Sequence, residues 1–448
     1  MRRVCLTLPT HRPCGAALAA IAEEAAYGAR EFGAEVHLLV LDSSDAAARA
    51  EHRRVVAALP AAPGVVVHHL DEAAQRAFLR RAAAESGAAE PERLTALMLP
   101  DGVSYGACTN RAFLLAEALG CASVHRRDSD SGYQRADGEP VFPIHQELAF
   151  LGRPAAEAAA LASVSRLGPE AAGRPVALAG GSFTGEMSVD LDEVRRLDPA
   201  VYAEVVALSV PDEHPPLWRG KLVAEAFRGA EPFAGDHTTL TRVSPTRVDM
   251  CNVALTREVY GRVPLPPARD TVGSDYFLLH LVFGARLPGV LHNRHIVNHH
   301  TGERRTGAGF LAYQVRLAKF FLAVPYLHAV YAAMAAEGEA LLDEGGRVRT
   351  AAVAGLVREA GRADRSGDVR RLEVLERAYR TLGGRWSAAA ELLAGRRAEL
   401  LAEARADMAD FAALLDAWPA LVRASGDIGL VGGDIGPRGG SGERVGGR

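Results

Sequence analysis

The segment CASVHRRDSDSG, residues 121–132, closes a short apolar run with two arginines and then sets Asp128 and Asp130 on either side of Ser129. Two carboxylates converging on a hard divalent cation leave its other positions to water and phosphate oxygens, which suits Mg²⁺ or Mn²⁺. Such a cation neutralises a diphosphate and stabilises it as a leaving group. The same D-x-D spacing is common in solvated turns, so the tripeptide alone leaves both readings open. Arg126 and Arg127 fit either one, as partners of a diphosphate or as counter-charges to the aspartates. Asp42, in LDSSD, also ends an apolar run, where a carboxylate can meet a ligand or cap the next helix. The histidines His292, His295, His299 and His300 lack H-E-x-x-H spacing and make no self-contained zinc site. At strand period His295 and His299 share a face, and His300 points the other way. Gly180, Gly181 and Gly185 lack the lysine and hydroxyl residue of a P-loop.

These residues need a scaffold that brings strand ends together. VCLTLP, EVHLLVLD and GVVVHHLD are strand-like, and the segments 16–32, 45–59 and 71–86 between and after them have helical spacing. A strand–helix–strand order implies parallel pairing with right-handed crossovers. Ligands of such sheets bind beyond the carboxyl ends of the strands, where Pro9, Thr10 and Asp42 fall. A helix over 112–119 with Gly120 at its cap, followed by the strand CASVHR, puts Asp128 and Asp130 on the same rim. A weaker helix over 154–165, strands in PVALAGG and TRVDMCNVAL, a helix from about Ser274 and a strand in GVLHNRHIVNHH complete the region. After Thr306 only helical signals remain, with a kink expected at Pro325 and further helices at 349–360, 369–382 and 387–424. The glycine-rich residues 426–448 predict a disordered tail.

With 448 residues and a formal charge of −4, the chain has room for two or three domains and no basic field for nucleic acid. Five dispersed cysteines argue against a disulfide framework or a structural zinc site. The opening MRRVCLTLP is too short in apolar residues for a signal peptide, and no membrane segment is expected. A reducing cytoplasm is the expected compartment.

In order, LPTHRP, LDSSD, YGACTNRAFLLAEALG and CASVHRRDSD resemble the nucleotide-binding half of GT-A glycosyltransferases, family 2-like enzymes in particular. CNVALTREVYGRVPLPPARDTVGSDYFLLHLVF and LHNRHIVNHH resemble the family's acceptor side and last strand, so the likeness spans roughly residues 1–305. It implies a nucleotide-sugar site at Pro9, Thr10, Arg12, Asp42, Asn110, Arg111, Asp128 and Ser129. The order Asn110-Arg111 reverses the family's R-N pair, and Asn110 matches its asparagine. A metal would be held by Asp128 and Asp130, with His299 or His300 closing the site. Asp275 falls where the family carries its general base, with Asp270 in reserve, although Ser274-Asp275 replaces the usual acidic pair.

The expected architecture is therefore α/β: a GT-A-like domain over 1–306 with a mixed, mostly parallel sheet, a helical domain over 307–425, and the tail. The expected activity is transfer of a sugar from a nucleotide-diphosphate donor to a soluble small-molecule or carrier-bound acceptor, with inversion, using Mn²⁺ or Mg²⁺. The helical domain would cap the acceptor side or form a homo-oligomer interface. Nucleotidyl transfer to a sugar phosphate and a non-catalytic nucleotide-binding or scaffold role are the alternatives. The first would normally show a glycine-rich basic loop after the first strand, and THRPCG has one glycine and one arginine.

Overall fold

A computed structural model describes residues 1–187, 189–211, 220–223, 227–299 and 302–430. The chain opens with β1 (Arg3–Thr10), α1 (Gly15–Phe32), β2 (Glu35–Asp42), α2 (Ala46–Ala58), β3 (Val65–Asp71) and α3 (Glu72–Glu85). The helices α4 (Pro91–Met98) and α5 (Tyr105–Ala118) lead to β4 (Ser123–Arg126). Short elements follow: β5 (Ser131–Tyr133), β6 (Arg135–Ala136), β7 (Glu139–Pro140), α6 (Ile144–Phe150), α7 (Ala155–Leu161) and β8 (Val164–Ser165). Next come β9 (Leu178–Gly180), β10 (Phe183–Gly185), α8 (Asp192–Leu197), α9 (Pro199–Ala207) and β11 (Thr238–Thr241). The α/β part ends with β12 (Val253–Thr256), α10 (Arg257–Tyr260), α11 (Phe277–Gly284), β13 (Gly289–His292) and β14 (Ile296–Asn298). Beyond it lie α12 (Gly307–Glu337), α13 (Thr350–Arg362), α14 (Val369–Leu382), α15 (Arg385–Gly395) and α16 (Arg397–Ile428).

Local chemistry accounts for many boundaries. Asp45, Asp71 and Ser104 cap α2, α3 and α5 by accepting from Ala48, Ala74 and Ala107 N–H. The Ser104 cap starts α5 seven residues before the expected Ala112. Gly33 closes α1 in the left-handed region. The expected helix over 387–424 is two helices, broken at Arg396 just after Gly395. The last helix continues to Ile428, so residues 426–428 are helical rather than tail, and 431–448 lie outside the described residues.

Among the described residues the main sheet has nine strands in the order β3-β2-β1-β4-β12-β9-β13-β11-β8. Most neighbours are parallel; β12 runs against both β4 and β9, and β11 against β13. The fold is mixed α/β with a mostly parallel sheet, flanking helices and a C-terminal helical region. The carboxyl ends of β1, β2, β3, β4, β9 and β13 therefore lie on one rim, with the residues that lead into β12.

One core runs from the sheet face under α5 and α11 into α12–α16, joining Phe113, Leu255 and Leu278 to Leu317, Phe411 and Trp418. The Trp418 indole N–H donates to the Tyr260 carbonyl at 2.9 Å across that junction. By length and composition α12 could cross a membrane, yet Phe310, Leu317, Phe321, Val330 and Met334 on it are buried in this core.

On the other face, α1 and α6 cover a buried ionic network. Arg127, 2% exposed, donates to both oxygens of Glu24 at 3.0 and 2.8 Å and to both of Glu147 at 3.1 and 2.9 Å. His125 bonds Glu147 at 2.8 Å, and the Tyr133 hydroxyl donates to Glu24 at 2.6 Å. Arg127 thus serves the fold and neutralises neither Asp128 nor Asp130.

Candidate active site

The loop after β1 is shaped by Thr10. Its Oγ1 accepts from Arg12 N–H at 3.2 Å and donates to the Arg12 carbonyl at 2.9 Å, a side-chain turn that aims Arg12 back over the rim. Asp42 supports this loop from beneath. It is fully buried, accepting from Ser44 N–H on Oδ1 and from His52 Nδ1 and His69 Nε2 on Oδ2, the latter two at 2.8 Å. Burial alone would raise this carboxyl; the bonds from His69, His52 and Ser44 outweigh it and hold Asp42 well below the usual carboxylate range. His52 Nε2 in turn accepts the Cys14 N–H at 3.0 Å, fixing the end of the loop.

Asp42, His52 and His69 are also the group among the described residues whose three ligand atoms lie within 4.8 Å of one another. The tautomer speaks against a metal there. A histidine that ligates through Nδ1 carries its proton on Nε2, but Nε2 of His52 accepts a backbone N–H. The trio is a hydrogen-bonded hub. Burial pushes the neighbouring Cys14 thiol up to about 11, so it is not a nucleophile at neutral pH.

At the end of β4 the acidic segment forms a charged cluster. Arg126, 2% exposed, reaches Asp128 Oδ1 at 3.1 Å with one arm and Asp275 Oδ2 at 2.6 Å with the other. Asp249 lies beside them, accepting from Tyr276 Oη at 2.9 Å and from Cys251 N–H at 3.1 Å. Burial raises the Asp128 carboxyl, Arg126 opposes it, and Asp130, Asp275 and Asp249 add to the rise, which takes the group from 3.8 to about 6. Asp130 is held separately: Arg12 Nη1 lies 3.0 Å and Arg304 Nη2 3.4 Å from its Oδ2. Ser129 sits half-buried in the turn closed by Ser131, whose Oγ donates to the Asp128 carbonyl at 2.8 Å.

The last strand comes to this turn. β14 pairs with β5, and His299 N–H donates to the Asp130 carbonyl at 3.1 Å. The His299 side chain is exposed, and Asp128, Asp130 and His299 do not form a three-donor group of the kind seen at Asp42. His300 lies outside the described residues.

The helix opening YGACTNR holds the loop that carries Asp270 and Asp275. Asn110, fully buried, donates to the Leu265 carbonyl at 2.9 Å and accepts from Leu265 N–H at 2.8 Å. Ser104 Oγ donates to the Ala268 carbonyl at 2.8 Å, and Asp270 accepts from Val103 N–H at 3.3 Å. Arg111 turns inward to Gln75 and the Met98 carbonyl. Both amide atoms of Asn110 and two arms of Arg111 are therefore used within the fold. A Cβ on Gly106 would overlap the Pro266 carbonyl oxygen, a backbone atom that cannot move aside. Gly106→Ala is accordingly expected to lower stability by about 1–3 kcal/mol or more, read as a lower denaturant midpoint at unchanged slope.

Sequence reading missed Asp249, Arg304, His52 and His69. The pair His68-His69 stood in the strand GVVVHHLD, but only pairing of β3 with β2 brings His69 to Asp42. Asp249 precedes a strand that runs antiparallel, which places it on the rim. No local pattern marks either one.

Among solved structures, the chain is similar to the mannosyltransferase PcManGT from Pyrobaculum calidifontis in complex with GDP-Man and Mn2+. The identity is 15% over 93% of this chain and 86% of that chain, with a TM-score of 0.36. No curated protein matches the chain. The family model that does match covers residues 2–432, and the chain belongs to that family, a family of unknown function (DUF6271).

Proposed function

We propose that the rim at the carboxyl ends of β1 and β4 binds a nucleoside-diphosphate sugar and transfers the sugar to an acceptor hydroxyl. The acceptor is a soluble small molecule or a carrier-bound intermediate, and transfer inverts the anomeric carbon. The observation that carries this reading is the acidic cluster at the end of β4, where Asp128 and Asp275 share the two arms of the buried Arg126 and Asp249 lies beside them, bonded to Tyr276. Such a surplus of oxygen-borne negative charge is what a hard divalent cation satisfies. Asp128 would hold Mn²⁺ or Mg²⁺, which when bound supplies Lewis-acid stabilisation of the departing diphosphate.

The chain's own groups account for the rest. Arg126 holds Asp128 and Asp275 on its two arms, so the two carboxylates keep a fixed spacing. Asp275 takes the proton of the acceptor hydroxyl as that oxygen bonds to the anomeric carbon. The bond from that carbon to the diphosphate oxygen breaks, and its electron pair leaves with the diphosphate. Asp270 is bound to Val103 N–H and serves better as a tie for the loop.

The test is thermal unfolding against nucleoside diphosphates, triphosphates and nucleotide sugars, with Mn²⁺ or with chelator. A diphosphate or its sugar should stabilise the protein in Mn²⁺ by about 2.7 kcal/mol at a hundredfold excess over Kd. A preference for triphosphates would replace the reading with nucleotidyl transfer. No shift with any nucleotide would make the acidic segment a polar turn. The anomeric proton coupling in the product's NMR spectrum then decides inversion.

A further inference from the structure

We infer that Asp130 is not a metal ligand but the post of an arginine clamp, and that Arg12 and Arg304 of that clamp grip the two phosphates of a diphosphate ligand. The inference rests on the reading of the rim as a nucleotide-sugar site and deepens it. Asp130 Oδ2 faces two guanidinium groups, Arg12 at 3.0 Å and Arg304 at 3.4 Å, and all three side chains are only 11–12% exposed. One carboxylate oxygen thus holds two guanidinium groups side by side next to Asp128. Both arginines have a fixed approach. Arg12 is aimed by the Thr10 turn, while Arg304 comes from the segment leading into α12, bonds Tyr105 Oη at 3.4 Å and lies 5.5 Å over the Tyr313 ring. Planar guanidinium forks match phosphate oxygens in pairs, and two adjacent forks match a diphosphate. The clamp joins the first strand of the sheet to the edge of the helical region, so the ligand would tie the two together.

The experiment is calorimetric titration of inorganic pyrophosphate and of nucleoside diphosphates into wild type, Arg12→Gln, Arg304→Gln, Asp130→Asn and Asp128→Asn. Bound Mn²⁺ is counted separately by electron paramagnetic resonance, and circular dichroism checks that each variant is folded. Each arginine variant should weaken pyrophosphate binding about tenfold, in chelator as in Mn²⁺, and leave Mn²⁺ binding unchanged. Asp130→Asn should do likewise, and only Asp128→Asn should remove the Mn²⁺. If Asp130→Asn abolishes Mn²⁺ binding, or if folded arginine variants bind pyrophosphate as wild type does, the clamp is overturned. Binding of nucleoside diphosphates but not of pyrophosphate would place the affinity in the nucleoside and also overturn it. The two readings fail apart: pyrophosphate binding without turnover of any nucleotide sugar removes the transferase and keeps the clamp. Turnover with unaffected arginine variants does the reverse.

Discussion

Arg127→Ala is expected to destabilise the protein by about 3–5 kcal/mol, the range for removing one partner of a buried ion network. The substitution strands Glu24 and Glu147, both fully buried, without the arginine that binds all four of their oxygens. In the intact network burial works to raise Glu147, while Arg127 and the hydrogen bond from His125 prevail and lower it from 4.5 to about 2. A carboxyl depressed in this way contributes stability that is present above the unfolded value and lost as pH falls towards about 2. Without Arg127 only the His125 bond opposes burial at Glu147, so the carboxyl moves up and the variant should be least stable at neutral pH and recover on mild acidification. Chemical denaturation at pH 7.5 and pH 5 measures both effects. The triple variant with Arg127→Met, Glu24→Gln and Glu147→Gln should regain most of the loss, because it leaves no buried charge. A loss below 1 kcal/mol for Arg127→Ala would refute the network.

Asp128→Asn is expected to do the opposite to stability and to abolish the response to cation. Asp128 is raised from 3.8 to about 6, so the folded state binds its proton more tightly than the unfolded chain does. Stability is then greatest below the unfolded value, falls as pH rises between about 4 and 6, and carries the full penalty at neutral pH. The shift corresponds to about 3 kcal/mol at most. Asp128 keeps 27% of its side chain exposed, and solvent screening reduces the figure to about 1–2 kcal/mol. In chelator at pH 7.5 the asparagine variant should unfold at the higher denaturant concentration. In Mn²⁺ with a nucleoside diphosphate the order should reverse, because only wild type gains ligand stabilisation. A variant that is both less stable in chelator and equally responsive to Mn²⁺ would show that Asp128 is an ordinary turn residue.

The first three strands and their helices could be read from apolar runs and helical spacing, and the structure adds the caps at Asp45 and Asp71 and the turn at Gly33 that bound them. These signals are local: a cap satisfies N–H groups within its own first turn, and a fully buried strand shows as an unbroken apolar run. The order of the segments gave the parallel half of the sheet, and with it the shared rim of Thr10, Asp42 and Asp128. The antiparallel insertion of β12 between β4 and β9 has no such signature. Its register depends on partners 73 or more residues away in the chain, and it alone brings Asp249 to the rim.

The roles within the site divide in the same way. Residue type and spacing determined that Asp128 and Asp130 end a strand and can meet a cation or a phosphate. Which carboxylate meets what was decided by the tertiary structure, since a carboxylate's chemistry depends on the charges and donors that surround it. Asp42 is enclosed by His52 and His69, Asp128 is crowded by three other carboxylates, and Asp130 is gripped by Arg12 and Arg304. Three aspartates that look alike in sequence differ because their neighbours arrive from α2, from the approach to β12 and from the segment before α12. Chain folding sets those arrivals, and no spacing along the chain encodes them.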